Sequence, residues 1–146
     1  MANVNASINI DAPLQDVWDV ATDVGRMGEW VSIHREFPEA TPTDLAVGTT
    51  FKQTLSVAGT PFGVEWTATE VDGPQSLAWE GKGPAGATAS TRYSLKSQNG
   101  GTHFTYENDF KLPAGKVGEA AAGVVHGQAE REAKDSLAAL KQLIES

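Results

Sequence analysis

Three histidines, four tryptophans and two tyrosines carry most of the chemistry open to this sequence. The histidines stand at 34, 103 and 126, without the short spacing of metal-ligand pairs, so no zinc site is expected. No G-x-S-x-G turn, phosphate loop or dinucleotide fingerprint occurs, and no cofactor is expected. The chain has no cysteine, which excludes disulfides, thiolate nucleophiles and iron–sulfur ligation and is compatible with a reducing cytoplasm. What remains is aromatic surface plus a few groups that could orient a ligand or exchange a proton near neutral pH.

His126 closes the stretch GKVGEAAAGVVHG, residues 115–127, inside what reads as a long terminal helix over 115–145. Three glycines at 118, 123 and 127 would cost such a helix about 3 kcal/mol relative to alanine. At 100° per residue, His126, Ala129, Ala133, Leu137, Leu140 and Ile144 share one stripe, whereas Val117, Ala121 and Val124 fall on the opposite side. A bend near Gly123–Gly127 would reconcile the two stripes and turn His126 inward as a polar group in an apolar setting. The alternatives are a histidine hydrogen-bonded to a strand, or one turned to solvent.

Trp18 belongs to the apolar face of a first helix. Trp30 and His34 stand four residues apart, in and just after a second short helix. Trp66 shares a strand face with Val64 and Ala68, and Trp79 shares one with Leu77 and Gly81. Tyr93 pairs in parity with Leu95, and Tyr106 with Phe104 and Phe110. The candidate ligand-binding set is therefore Trp30, His34, Trp66, Trp79, Tyr93, Tyr106 and His126. Arg92, His103, Thr105, Glu107 and Asp109 fall on the opposite, solvated parity, and a one-residue slip would exchange the two sets. Spacing alone does not bring Glu65 together with Glu80 or Glu107 as an acid/base pair.

The elements that must position these residues follow from periodicity. Residues 3–10 alternate as a half-buried strand. D-A-P at 11–13 then starts a helix, with Asp11 or Ala12 as cap, Pro13 in the first turn, and Leu14, Val17, Trp18 and Ala21 on one face. R-M-G-E-W-V-S-I, 26–33, reads as a second short helix. Strands are expected at 35–40, 49–58, 62–72, 76–82, 87–97 and 102–111, separated by A-G-T-P, D-G-P-Q, G-P-A-G and N-G-G turns. The fold class is α+β: a seven-stranded, curved antiparallel sheet around a long C-terminal helix, with two short helices after the first strand. One helix need not fill such a sheet, and a pocket would follow.

At 146 residues the chain suits one domain, 1–146, with 40% apolar composition and a net charge of −8. Eleven scattered Lys/Arg argue against nucleic acid or anionic lipid as partner. No signal peptide or membrane span is apparent, so a cytoplasmic location is expected, with a hydrophobic small molecule as partner and a protein partner possible.

The pattern I-D-A-P-x-x-x-V-W (10–18), Asp23 and Trp30, then V-G-T-x-F (47–51), V-D-G-P-x-x-L-x-W (71–79) and the terminal helix, resembles the START-like helix-grip superfamily, polyketide cyclase/dehydrase branch. W-x-x-I-H (30–34) is also similar to an actinobacterial subgroup that includes toxin components of toxin–antitoxin pairs. The resemblance implies a cavity between sheet and helix for lipids, polyketides or other hydrophobic molecules, with the second helix bordering its mouth and so Trp30 and His34 near it. It carries over no catalytic residue. Three functions stay open: binding of a hydrophobic small molecule, polyketide cyclase or dehydratase catalysis, and a toxin-like or stress-linked protein-interaction module.

Overall fold

The computed structural model describes residues 2–57, 60–111 and 119–146, with the side chains of residues 2, 57, 60, 85 and 119–126 outside that description. Strand β1 (Ala2–Ile10) is followed by helix α1 (Leu14–Ala21) and a 3-10 helix (Val24–Glu29). Then come β2 (His34–Glu36), β3 (Thr50–Val57), β4 (Thr60–Asp72), β5 (Ser76–Lys82), a 3-10 turn (Pro84–Gly86), β6 (Thr88–Gln98), β7 (Gly101–Lys111) and helix α2 (Glu119–Glu145). All seven strands form one sheet in the order β1-β7-β6-β5-β4-β3-β2, and every pairing is antiparallel.

The expected elements are present, with three local corrections. Helix α1 begins at Leu14, so Pro13 is the capping residue, with ψ 150°, and not a member of the first turn. The expected helix over 26–33 is a 3-10 helix ending at Glu29, with Trp30 as its C-cap. Gly25 and Gly28 disfavour an α-helix there, and Gly28 lies so close to His34 that a Cβ would stand 3.0 Å from the ring Cδ2. The expected strand over 35–40 is only three residues, with a register shift between His34 and Glu36. The N-G-G hairpin holds: Asn99 (φ 53°) and Gly100 (φ 82°) form the turn between the paired Gln98 and Gly101, as tight hairpins require.

Alternation decides which residues face α2. Thr91, Tyr93 and Leu95 on β6 are buried on one side, and on β7 Thr102 and Phe104 are buried on that same side. The cross-strand pairs Tyr93–Tyr106 and Leu95–Phe104 sit directly opposite one another. Arg92 instead meets Glu70 on the outer face at 2.7 Å, and His103 Nδ1 lies 2.7 Å from Asn9 Oδ1. The expected inward and outward sets are thus as read, without slippage.

Helix α2 runs through Gly123 and Gly127 to Glu145. Ala133, Leu137 and Leu140 are buried on its inner stripe. Two sets of polar ties anchor it. The Asp11 backbone N–H donates to Glu145 Oε2 at 2.8 Å and Lys141 Nζ to the Asn9 carbonyl at 2.9 Å. Ser136 Oγ accepts from the Ser32 N–H at 2.9 Å. These bonds hold the helix over β1 and the segment after the 3-10 helix. The bend expected near 123–127, and the stripe of Val117, Ala121 and Val124, rest on side chains outside the described residues.

On the sheet's concave face, Trp66 lies across the neighbouring strand. It pairs directly with Gly81, and a Cβ there would meet the indole and Val64 at 2.8 Å. Only a glycine leaves the ring that room. Gly81→Ala should therefore destabilise the fold by about 1–3 kcal/mol, the range for overpacking. Urea unfolding followed by far-ultraviolet dichroism measures this.

Candidate functional site

Between the concave face of β3–β7 and residues 128–137 of α2 lies a cavity of about 190 Å³. Its floor is aromatic. Phe51 and Trp79 meet edge-on, with ring centroids 5.0 Å apart at 83°. Trp30 leans on Tyr93 at 5.8 Å and on the edge of Phe104 at 6.4 Å. Ala89, Phe110, Val64 and Phe62 extend the wall, and Ala129, Ala133 and Leu137 roof it. Small residues on the helix and large ones on the sheet leave the gap between them.

Five of the seven candidate residues, Trp30, Trp66, Trp79, Tyr93 and Tyr106, line this one space. His34 does not. It stands behind the wall, its ring 4.4 Å from that of Phe37, and reaches the cavity only through Gln53. The side chain of His126 lies outside the described residues. Glu65, Glu80 and Glu107 are all exposed on the outer face, so no acid/base pair forms among them.

Polar residues not singled out from the sequence shape the site. Gln53 is buried on the inward face between Phe51 and Leu55, and strict alternation along T-F-K-Q-T-L would have placed it there. Its Oε1 accepts from Trp66 Nε1 at 3.0 Å, and its Nε2 lies 2.8 Å from His34 Nδ1. Indole N–H can only donate, which fixes the carboxamide orientation; the amide nitrogen then donates to His34, whose Nδ1 must be an unprotonated acceptor. His34 is therefore neutral, with its proton on Nε2. Burial likewise lowers its pKa from the ordinary histidine value.

A second polar group sits on β6 and β7. Thr91 Oγ1 donates to Asn108 Oδ1 at 3.2 Å, and this is the next cross-strand pair on the same face as Tyr93 and Tyr106. Burial pushes the Tyr106 hydroxyl up to about 12, while the side chains of Thr91 and Asn108 beside it draw it back. Burial, reinforced by the neighbouring Tyr106, raises Tyr93 further. Both are neutral phenols at physiological pH. The indole N–H groups of Trp30 and Trp79 are buried without hydrogen-bond partners among the described residues. Among the described lining residues the charged ones are Lys111, which is exposed, and Glu132, whose carboxylate accepts from Ser32 Oγ at 2.5 Å. No group of histidines and carboxylates among the described residues could hold a metal ion.

The model of the polyketide cyclase / dehydrase and lipid transport family matches residues 1–145, and the chain belongs to that family. An uncharacterized protein of Mycobacterium tuberculosis is 28% identical over 136 residues, 92% of this chain and 95% of that protein. A toxin of the same organism is 25% identical over 127 residues, 86% of this chain and 88% of the toxin. Among solved structures, a Thermus thermophilus protein superposes with a TM-score of 0.81 at 14% identity, covering 97% of this chain and 96% of that one. That likeness concerns the fold, and it agrees with the sheet and closing helix described above. Among the described residues, no helix is long and apolar enough to cross a membrane.

The His34–Gln53–Trp66 chain has a definite pH consequence. The folded state resists protonating His34, so the unfolded state binds more protons once pH falls below the ordinary histidine pKa of about 6.5. Stability therefore declines as pH is lowered through that range. We expect the His34 ring resonances to titrate with a midpoint below 6.5, and the Trp66 indole N–H resonance to shift over the same interval. A His34 midpoint at or above the ordinary value would contradict the assigned orientation.

Proposed function

We propose that this chain binds a compact hydrophobic molecule in the cavity between its sheet and α2, with Trp30, Trp66, Trp79, Tyr93 and Tyr106 forming the contact surface. The observation that carries the reading is the aromatic-walled space itself, in a chain whose family is named for polyketide and lipid handling. At about 190 Å³ the space falls below the roughly 300–1,000 Å³ of common ligand pockets. A small ring system suits it better than a long acyl chain. His34 acts at one remove, by orienting Gln53, and His126 is proposed as a further ligand contact from α2.

Cyclase or dehydratase chemistry would need a proton donor and a base beside the ligand. Glu132, the carboxylate among the described lining residues, is engaged with Ser32 at the helix. The phenols, held neutral by burial, do not serve as bases. Binding is accordingly the reading supported best. A second reading, a toxin-like module acting through a protein partner, is favoured by the 25% identical M. tuberculosis toxin and by the acidic charge of −8. A basic partner would suit that charge.

Titration with fluorene, phenanthrene and palmitate, followed by tryptophan emission, tests the binding reading. The two ring compounds should quench or shift the emission saturably, and palmitate should bind more weakly. Ala133→Leu adds apolar volume to the roof and should weaken ring-compound binding about tenfold or more, while the thermal midpoint holds or rises as a void is filled. Absence of any saturable response to the ring compounds would remove this function.

A further inference from the structure

We propose that His34 is a proton switch for the cavity: a proton taken up by its ring behind the wall weakens the hold on a ligand in front of it, with Gln53 and Trp66 as the link. The inference rests on the cavity being the binding site.

The link is continuous from one side of the wall to the other. Gln53 and Trp66 both line the cavity. His34 does not, and it keeps partial exposure, so a proton reaches it without passing the ligand. Trp66 Nε1 donates to Gln53 Oε1 at 3.0 Å, and Gln53 Nε2 lies 2.8 Å from His34 Nδ1. The same amide nitrogen faces Met27 Sδ at 4.0 Å, so both weak and strong acceptors lie on its side. Gln53 is only 3% exposed, and a carboxamide so deep has little water to replace a lost partner.

A proton on Nδ1 sets two donors against each other. Turning the carboxamide over repairs that contact but sets its NH₂ group against the indole N–H, which can only donate. No orientation of Gln53 serves an imidazolium and an indole together. The imidazole has little room to step aside: the Phe37 ring lies 4.4 Å away, and a Cβ on Gly28 would stand 3.0 Å from its Cδ2 and 3.3 Å from its Nε2. The mismatch therefore passes inward to Trp66, whose ring is seated across Gly81 and shapes that part of the wall.

The charged groups on the elements around His34 are committed elsewhere or exposed. Arg26 and Glu29 of the 3-10 helix pair with each other at 2.8 Å. Lys52 of β3 pairs with Glu39 of the loop after β2 at 3.5 Å. Arg35 and Glu36 on β2 are exposed, and Glu132 of α2 is bonded to Ser32. Burial is what lowers the His34 pKa. A ligand that holds Trp66 in its seat adds to that resistance, and by reciprocity the proton opposes the ligand. Binding is thus full above the His34 midpoint and declines as pH falls through it.

Fluorene carries no titratable group, so any pH dependence of its binding belongs to the protein. Over the pH range in which far-ultraviolet dichroism shows the native fold, from 7.5 toward about 5, its Kd should rise about threefold or more, the effect of one modest hydrogen bond. In the fluorene complex the His34 ring resonances should titrate about 0.5 or more lower on the pH scale than in the free protein, as linkage requires. His34→Asn offers an amide oxygen to Gln53 and does not titrate; its fluorene affinity should be independent of pH. Equal wild-type affinity across the range, or a His34 midpoint unmoved by saturating fluorene, overturns the switch and leaves the cavity reading standing. A pH dependence that persists in His34→Asn likewise overturns it. If fluorene does not bind at pH 7.5, both readings fall.

Discussion

The structure is governed by a mismatch of widths. Seven strands spaced about 4.8 Å apart would span roughly 29 Å if laid flat, whereas a helix with its side chains is about 10–12 Å across. The single long helix therefore cannot cover the apolar face it must protect. The sheet curls, α2 settles over β1, and the remaining concavity has to be filled by side chains from the sheet itself. Phe51, Trp66, Trp79, Tyr93 and Phe104 do most of that filling, and the space they leave beneath α2 is the cavity.

Filling a concavity with large aromatics brings polar atoms along, since tryptophan and tyrosine each carry one. The molecule treats them unequally. Trp66 finds Gln53, and the phenol of Tyr106 has Thr91 and Asn108 beside it. The buried indole N–H groups of Trp30 and Trp79 have no hydrogen-bond partner among the described residues. Packing accounts for the presence of these rings, but it does not account for leaving two buried indole donors unmet.

Element order, sheet parity and the inner stripe of α2 were legible because they rest on local periodicity. Tyr93 and Tyr106 faced inward as their alternation with Leu95 and Phe104 required. The partition of Arg92 and His103 to the outer face followed from the same rule. Periodicity says nothing about what lies between faces. His34 reads as a residue of the cavity mouth, yet β2 is so short that its ring turns behind Gln53, and only the β2–β3 pairing reveals this. The second short helix reads from the helical spacing of Met27 and Trp30, but it ends at Glu29 as a 3-10 helix, because the Gly28–His34 contact that tightens the turn is tertiary. Gln53 was overlooked because a polar residue in a strand suggests solvent; its neighbours Phe51 and Leu55 already indicated otherwise.

The fixed direction of the Gln53 carboxamide makes positions 34 and 53 a single chemical character distributed over two strands. A glutamate at 53 would present acceptors on both sides and call for a proton on Nδ1 of the histidine at 34. An aliphatic residue at 53 would release 34 from any requirement but strand the indole of Trp66. Across descendants of this chain the two positions should change in concert, with Trp66 as the silent third party to every exchange.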